Sequence, residues 1–263
     1  MITVSGFSVA PVKGMGLLHP EEINLEPYGV RENRRFHVID DGGRRFGQIR
    51  CGPLVQIRPD YDESRGWLSL TFPDGSTVEG TVELGEAVET DFYGRPVPGR
   101  VVVGPWNDAV SEHIGTALRL VQPDEPGAGV DRASGGVSFL SQASCDELAR
   151  RTGREVDPRR FRMLITLDGA EPHEEDTWLG REVAVGEAVA LVRGTVGRCA
   201  ITTQNPETGK VDFDTLREIK SYRGLDEDGE IDFGVYGKVV RPGRVRVGDE
   251  VHAVQPSLLE RAG

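Results

Sequence analysis

Cys199 lies in the segment whose residue types are most unusual for this chain. Residues 196–198 have β propensity, and the sequence NPETG at residues 205–209 is a strong turn signal, so we expect Cys199 near the end of a strand. At the rim of a barrel, such a side chain can reach a ligand. Taken alone, a free cysteine is more often a small buried hydrophobic residue. A ligating thiolate would need positive charge from elsewhere, such as a metal ion.

Three basic groups that are distant in the sequence could converge on one anion. They are Lys13, the pair Arg34 and Arg35, and the run Arg-Arg-Phe-Arg at residues 159–162. Arginine holds phosphate bidentately, and a basic pocket in an acidic protein would guide an anion to one place. Spacing alone favours the alternative that these residues form surface ion pairs with the 43 acidic residues.

The acidic run at residues 172–176 could bind a hard metal ion through its carboxylates. A solvated loop is the favoured interpretation, because clusters of charge are usually exposed. The sequence lacks a His-Glu-x-x-His zinc motif, a nucleotide phosphate-binding loop and a Gly-x-Ser-x-Gly nucleophile elbow. The common zinc-protease, nucleotidase and hydrolase signatures are therefore absent.

The elements that must position these residues are mostly strands. Apolar residues alternate with polar ones between 34 glycines and 16 prolines, a pattern typical of a β protein. The alternation predicts strands at residues 36–40, 67–72, 182–185, 188–192, 244–247 and 250–254. Hairpin turns are expected at residues 41–43 and 73–75, where glycine can adopt a positive φ.

Helices are expected to be few. An apolar stripe predicts one over residues 106–121, with Asn107 or Asp108 as its N-cap. A capping box at Ser144 opens a short helix that Gly153 closes, and a third helix begins near Asp214. The glycine-rich segment at residues 123–136 is either an interdomain linker or a mobile loop over a site. We place the domain boundary near its start, giving domains 1–123 and 124–263.

The composition excludes several classes of function. The 263 residues carry a net charge of −12, with acidic residues in excess in both halves, so neither half has the basic face typical of nucleic-acid binding. No segment approaches the roughly 20 apolar residues of a membrane helix, and the first residues lack the layout of a signal peptide. Three cysteines cannot form a full disulfide framework. We expect a cytoplasmic protein without nucleic-acid or membrane partners, in which Cys51 and Cys145 are structural.

The segment around Cys199 resembles the signature of MOSC domains. It reads RCAITTQNPETG at residues 198–209. Further matches follow in the family's order: FRMLI at 161–165, GAEP at 169–172, LREIKSYR at 216–223, FGVY at 233–236 and PGRVRVGDEV at 242–251. Together they cover nearly all of the second half of the chain.

The first half resembles the N-terminal β-barrel domain that accompanies MOSC domains. The matching segments are PVKG at 11–14, LEPYGV at 25–30, NRRFHVID at 33–40 and QIRCGPL at 48–54. The two halves together are similar to the mitochondrial amidoxime-reducing component and its bacterial relatives. This resemblance implies a mainly β fold with a few short helices, in which an N-terminal β-barrel-like domain precedes a C-terminal MOSC β-barrel.

The resemblance also implies a molybdenum–pyranopterin (molybdopterin) cofactor. Cys199 would ligate the metal, and the cofactor-binding residues would be Lys13, Gly14, Arg34, Ser134, Arg162 and Arg198. Asp176, Asn205 and Tyr236 would line the open face of the metal as catalytic residues. Where the family often has serine after the lysine and Pro-Asn after the arginine, this chain has Gly14 and Met163-Leu164. These replacements remove possible hydrogen bonds to the cofactor.

The reaction implied is a two-electron reduction of an N-hydroxylated or N-oxide small molecule by oxygen-atom transfer, with the metal carrying the redox step. It would require an external electron donor of reductase, ferredoxin or cytochrome type. Two other functions would use the same residues. One is a sulfur carrier with a persulfide on Cys199, serving metal–sulfur cluster or cofactor assembly. The other is a cofactor-binding module without turnover.

Overall fold

The computed structural model describes residues 1–132 and 135–254, and strands dominate it. The strands are β1 Ile2–Phe7, β2 Glu22–Leu25, β3 His37–Asp40, β4 Arg45–Phe46, β5 Arg58–Asp62, β6 Trp67–Thr71, β7 Thr77–Thr81, β8 Glu83–Phe92, β9 Arg95–Val103, β10 Leu118–Pro123, β11 Val137–Ser141, β12 Ile165–Asp168, β13 Glu182–Val185, β14 Ala188–Gly197, β15 Asp232–Arg241, β16 Gly243–Arg246 and β17 Glu250–Ala253. The helices are α1 Trp106–Ile114, α2 Gln142–Thr152 and α3 Thr215–Arg223, with 3-10 helices at Gly52–Gln56, Pro158–Phe161, Glu174–Trp178 and Ala200–Thr203. The prediction of a mainly β fold with a few short helices is confirmed.

Seven strands close into a barrel in the order β1-β12-β11-β15-β14-β13-β17. Adjacent strands of the barrel are antiparallel, except for the parallel pair β11 and β12. Alternate residues such as Val183, Val185, Ala188, Ala190 and Val192 point inward into one apolar core. Closure pairs every strand of the barrel on both sides, which removes its free edges.

Strand β1 belongs to this barrel although it precedes the predicted boundary at residue 123. It pairs with β12 on one side and with β17 on the other. In addition, β2 pairs with β16 in a two-stranded sheet. The division into 1–123 and 124–263 stays a prediction, but in space the first strand of the chain completes the barrel of the second half.

A second core lies among the elements of the first half. A five-stranded sheet in the order β4-β3-β10-β9-β8, a three-stranded sheet β5-β6-β7 and helix α1 surround it. Phe36, Leu54, Leu68, Trp106 and Leu120 are fully buried there. The indole Nε1 of Trp106 donates to the carbonyl of Leu68 at 3.3 Å, which satisfies the one polar atom of that side chain. Both predicted hairpins form, β3 with β4 and β6 with β7.

Helix α1 is shorter than the sequence pattern predicts. It ends at Ile114 because Gly115 adopts a left-handed conformation, with φ of 77°. Val121 of the predicted helical stripe instead lies in β10, where it pairs with β3 and β9. Hydrogen bonding of β10 to a strand on each side stabilised the extended conformation over the helix that the apolar spacing predicts. Asn107 is not the N-cap; its amide donates to Val102 and accepts from Leu120, tying α1 to the sheet.

The other two helices begin and end close to their signals. Gly153 closes α2 as predicted, although Ser141 rather than Ser144 is the N-cap: its Oγ accepts from the amide of Ser144 at 3.1 Å. Asp214 caps α3 by accepting from the amide of Arg217 at 3.1 Å. None of the helices in the described part of the chain is long and apolar enough to cross a membrane.

Candidate functional site

A cavity of about 430 Å³ lies where the barrel meets the loops of the first half. The predicted site residues that line it are Lys13, Gly14, Arg34, Arg162, Arg198, Cys199 and Tyr236. Its volume falls within the range of small-molecule and cofactor sites, roughly 300–1,000 Å³. The fold therefore brings together side chains from both ends of the sequence at one place.

Cys199 is the exposed thiol of this chain and lies at the cavity. Strand β14 ends at Gly197, and the carbonyl of Cys199 accepts from the amide of Thr202 at 3.2 Å to open the 3-10 helix Ala200–Thr203. The predicted position near a strand end is confirmed. Cys145 is buried and Cys51 partly so, and burial raises the pKa of both thiols. Cys199 is thus the cysteine best placed to meet a ligand.

Arg34 and Arg162 share an unusual backbone conformation. Their φ angles are 55° and 51°, in the left-handed region, which costs a residue other than glycine about 1–2 kcal/mol. The Nη2 of Arg34 donates to the carbonyl of Arg162 at 3.2 Å, and the Nη2 of Arg162 donates to the carbonyl of Met15 at 2.7 Å. Strain of this kind is retained where the surrounding structure fixes it, commonly at functional sites. Here it accompanies two guanidinium groups that both line the cavity.

Arg34 and Arg162 give the cavity positive charge that no carboxylate of the described residues balances. Burial lowers the pKa of Arg34, and it lowers that of Arg162 to about 9, with the neighbouring Arg34 adding to the effect. In residues 1–132 and 135–254, neither guanidinium has a carboxylate within salt-bridge distance. The described lining residues include eight Lys and Arg side chains and a single acid, Asp131. Five of these cations form salt bridges, whereas Arg34, Arg162 and Arg198 form none in the described residues. Desolvated cations are costly unless an anion pairs with them, so the cavity suits an anionic ligand.

Lys13 and Gly14 follow each other at the edge of the cavity. The Nζ of Lys13 lies 2.8 Å from Oδ1 of Asp131, and burial lowers the lysine pKa to about 8 despite this ion pair. Gly14 has φ of 86°, and a Cβ there would lie 3.1 Å from the backbone nitrogen of Gln48. Glycine therefore fits this backbone better than the serine that the family often carries.

Two predicted residues are not brought to the cavity. Asp176 lies in the 3-10 helix Glu174–Trp178, and its carboxylate pairs with Arg223 of α3 at 2.6 Å. The side chain of Asn205 donates to Asp212 at 3.0 Å and accepts from two amides of its own turn. Neither residue lines the cavity, although Oδ1 of Asp176 has no hydrogen-bond partner in the described residues. Their roles as catalytic residues stay a prediction. Ser134 lies outside the described residues.

Arg198 lines the cavity but is engaged with the protein. Its guanidinium donates to the carbonyls of Phe161 and Phe233 and to the sulfur of Met163, and it lies over the Phe161 ring. Burial lowers the pKa of Arg198 to about 10. These contacts stabilise the cavity wall and engage the guanidinium N–H groups that could otherwise donate to a ligand.

The acidic run at residues 172–176 differs from the predicted solvated loop. Glu175 is fully buried, and its Oε1 accepts from the amide of Ser141 at 3.2 Å and from Oγ of Ser144 at 3.0 Å. Burial raises the pKa of this carboxyl group. The metal interpretation has no support either: in the described ranges, no group of three or more His, Cys, Asp or Glu side chains could hold a metal ion.

The lining residues that sequence reasoning missed include Arg45, Tyr93, Asp131 and Arg132. The guanidinium of Arg45 lies 4.1 Å from the ring centre of Tyr93, and that of Arg132 lies 4.7 Å from the ring centre of Tyr236. Alternation along the chain at the start of β4 indicates that only one of Arg44 and Arg45 faces inward, but not which one. The side chain of Arg44 is 77% exposed and that of Arg45 is 21% exposed.

Two family models match this chain. The model described as MOSC domain matches residues 113–252, and the model described as MOSC N-terminal beta barrel domain matches residues 1–104. The chain belongs to the MOSC family. These matches and the closed barrel confirm the predicted fold. The N-terminal family model begins at residue 1, so it includes β1, which completes the barrel of the MOSC domain in space.

The relatives of this MOSC protein include mitochondrial amidoxime-reducing components and a molybdenum cofactor sulfurase. It is 32% identical over 290 residues to mitochondrial amidoxime-reducing component 1 of Xenopus laevis, covering 95% of this chain and 82% of the relative. It is 36% identical over 120 residues to the Mus musculus protein of that name, covering 43% of this chain and 35% of the relative. Molybdenum cofactor sulfurase of Oryza sativa is 25% identical over 274 residues, covering 89% of this chain and 32% of that protein. In the matches to the mouse protein and its rat homologue, the aligned segment spans about a third of the relative's length.

Proposed function

We propose that this MOSC protein binds a molybdenum–pyranopterin cofactor and catalyses the two-electron reduction of N-hydroxylated or N-oxide small molecules. The observation that carries this proposal is the convergence of the exposed Cys199 thiol with Lys13, Arg34 and Arg162 on one cavity. The names of its relatives, an amidoxime-reducing component and a molybdenum cofactor sulfurase, point to the same chemistry.

The residues present fit such a cofactor. A thiolate is a soft ligand that suits a molybdenum centre with further sulfur ligands from the pterin, and a metal ion deprotonates the thiol it binds. The guanidinium groups of Arg34 and Arg162 lack carboxylate partners in the described residues and can hold the anionic end of the cofactor. When bound, the cofactor would supply two-electron redox chemistry and oxygen-atom transfer.

The protein's own contribution is to bind and orient. Cys199 fixes the position of the metal, while the cations hold the other end of the cofactor. The ring of Tyr236 forms part of the cavity wall, and Gly194 on the adjacent strand leaves room for it, since a Cβ there would lie 2.9 Å from the ring. Arg132 covers the face of the same ring. A small substrate would lie against this wall.

Turnover needs a source of two electrons. We extend the proposal to an external donor of reductase, ferredoxin or cytochrome type and to a cytoplasmic location. Neither the donor nor the compartment is required for the cofactor to bind, so both can be tested separately from it.

The decisive experiment is metal analysis of the purified protein. We expect close to stoichiometric molybdenum, measured by inductively coupled plasma mass spectrometry, together with a fluorescent pterin oxidation product. Cys199→Ser should lose the molybdenum because it removes the only exposed thiol in the described residues, whereas Cys51→Ser should retain it. Molybdenum-free wild-type protein, or equal metal contents in both variants, would refute the proposal. Reduction of a benzamidoxime with a chemical electron donor then tests turnover.

The exposure of Cys199 also supports the second candidate, a persulfide sulfur carrier. Intact-mass analysis of metal-free protein would then show one added sulfur atom, absent from Cys199→Ser. The third candidate, a cofactor-binding module without turnover, predicts bound molybdenum but no reduction of the amidoxime.

A further inference from the structure

A second cavity, of about 520 Å³, is formed by β2, the segments on either side of it and the end of β5. In the described residues, it shares no lining residue with the cavity that contains Cys199. The turn at residues 30–34 borders both, because Arg31 and Glu32 line the second cavity whereas Asn33 and Arg34 line the first. The proposed reaction does not use the second cavity, although its volume falls in the range of small-molecule sites, roughly 300–1,000 Å³.

Part of the wall of the second cavity is apolar and fixed by the fold. Val9, Ile23 and Val30 line it, are at most 5% exposed and belong to the core of the barrel. Val9 and Leu18 exchange two backbone hydrogen bonds of 2.9 and 2.8 Å, and Ile23 pairs with Val245 on β16. A ligand with an apolar body would therefore bury apolar surface here without first ordering the protein.

The polar lining of the second cavity is acidic. Five acidic residues line it: Glu22, Glu26, Glu32, Asp62 and Glu63. Among the described residues, Arg31 is the only cation in the lining, and it pairs with Glu63 at 3.4 Å. The partly buried Glu26 and Glu32 have no salt bridge and no side-chain hydrogen bond in the part of the chain that the structure describes. Unpaired carboxylates that are partly removed from water favour a cationic ligand.

The arrangement of these acids suits an organic cation rather than a metal ion. In the described ranges, no group of three or more His, Cys, Asp or Glu side chains could hold a metal ion. A cationic group with N–H donors on an apolar body matches both the acids and the apolar part of the wall.

Tyr61 adds a buried polar group to the same lining. It is 8% exposed, and its hydroxyl lies near Glu63 but has no hydrogen-bond partner within 3.5 Å in the described residues. Burial and then the negative charge of Glu63 raise the pKa of Tyr61 to about 12, and the charge of Glu32 adds to the effect. The hydroxyl therefore stays protonated, and its oxygen can accept a hydrogen bond from a ligand while the carboxylates compensate the ligand's charge.

We propose that the second cavity binds a small organic cation, an ammonium or amidinium group carried on an apolar body. The cationic group lies beside Tyr61 and Glu32, and the body lies against Val9, Ile23 and Val30. The N–H groups of the ligand donate to carboxylate and hydroxyl oxygens, and the bonds to carboxylates are about twice as strong as bonds between neutral groups. The second cavity thus takes a ligand of opposite charge to the one that the cavity at Cys199 suits.

The test compares two probes of the same size, phenethylamine and phenethyl alcohol, on the full-length protein. Isothermal titration calorimetry at pH 7 and low ionic strength should show that the amine binds about tenfold more tightly than the alcohol, the equivalent of 1.4 kcal/mol. Methyl NMR locates the bound amine. The resonances of Val9 and Ile23 should shift, while those of Val196 and Ile201 at the other cavity should not.

Three variants test the residues assigned to the cation. Glu32→Gln should weaken phenethylamine binding about tenfold and leave the affinity for the alcohol unchanged. Tyr61→Phe keeps the ring but removes the hydroxyl, and should weaken amine binding about threefold. Glu89→Gln is the matched control, because it removes the same charge from an exposed residue of β8, and its amine affinity should equal that of the wild type.

Equal affinities for the amine and the alcohol would overturn the inference. So would equal amine affinities in Glu32→Gln and Glu89→Gln, or methyl shifts at Val196 in place of Val9. Molybdenum content is measured separately and depends on the other cavity, so a failure of the amine to bind leaves the cofactor proposal standing.

Discussion

The cationic cavity and the polar network around Asp176 differ in how their charges are balanced. In the network, Arg223 pairs with Asp176 at 2.6 Å. In the cavity, Arg34 and Arg162 donate to carbonyl and amide oxygens and have no carboxylate partner in the described residues. The sequence shows both as clusters of charge. The comparison teaches that a ligand site is marked by charge that the fold leaves unbalanced.

Substituting one arginine from each region should give opposite results. Arg162→Met removes a cation without a carboxylate partner in the described residues, so we expect molybdenum binding to weaken by about 30-fold to 150-fold, the equivalent of 2–3 kcal/mol from charge-assisted hydrogen bonds. The free energy of unfolding should change by less than about 1 kcal/mol, because the removed cation was costly to bury. Molybdenum content and urea denaturation measure the two effects.

Arg223→Met is the matched variant in the network. It leaves Asp176 without its partner and should lower the free energy of unfolding by about 1–3 kcal/mol, while molybdenum content is retained. If Arg223→Met loses the metal and Arg162→Met keeps it, the comparison between the two regions is wrong.

A smaller effect is expected from restoring the side chain that the family often has beside the lysine. Gly14→Ser introduces a Cβ at φ of 86° and 3.1 Å from a backbone nitrogen, and should lower the free energy of unfolding by about 1–2 kcal/mol. Gly43→Ser has a similar φ of 71° but open space around the new atom. The difference between the two variants in urea denaturation isolates the packing at the cavity. Equal losses would show that crowding at Gly14 contributes nothing.

The smallest effect concerns pH. Burial lowers the pKa of Lys13 to about 8, so inorganic phosphate affinity of the cofactor-free chain should fall about fivefold as the pH rises through 8, because the lysine loses its charge. The charged groups that face it are Asp131, Arg34 and Arg45. His37 also lies near, but its own pKa is lowered to about 3, chiefly by burial, so it stays neutral throughout this range.

As the pH rises through 8, the stability of the folded protein should change in the opposite direction to its phosphate affinity. The folded chain releases the Lys13 proton near pH 8, while the unfolded chain holds it until its ordinary value of 10.5. The unfolded state therefore binds more protons between these values, and stability should rise with pH in this window. Lys13→Met should remove both the loss of phosphate affinity and this contribution to stability. If neither the phosphate affinity nor the free energy of unfolding of the wild-type protein changes as the pH passes through 8, the lowered pKa of Lys13 is wrong.

Sequence patterns within a few residues predicted several of the strands and helix ends. Alternation predicted the barrel strands β13, β14 and β17 but not the other four, and the glycine and aspartate signals at Gly153 and Asp214 predicted a helix end and a helix start. The pattern was wrong for β10, where an apolar stripe fits a helix as well as a strand. Neighbouring strands decided between them, and those strands come from other parts of the chain.

Matched sequence segments predicted some of the residues that line the cavity, but not every residue in such a segment lies there. Cys199, Lys13, Arg34 and Arg162 lie in matched segments and converge on the cavity. Asp176 and Asn205 lie in matched segments too, but neither lines the cavity; Asp176 pairs with Arg223, and Asn205 donates to Asp212. Closeness to a motif in the sequence therefore did not determine closeness in space.

The sequence by itself determined several of the strands, two hairpin turns and a cysteine at a strand end, because these depend on neighbours within a few residues along the chain. Only the tertiary structure decided which charges are balanced. Lys13 and Arg45 share the carboxylate of Asp131, which lies in a distant loop, while Arg34 and Arg162 are left without an acid in the described residues. Counter-ions act through space, so their presence at a residue depends on every element that packs around it.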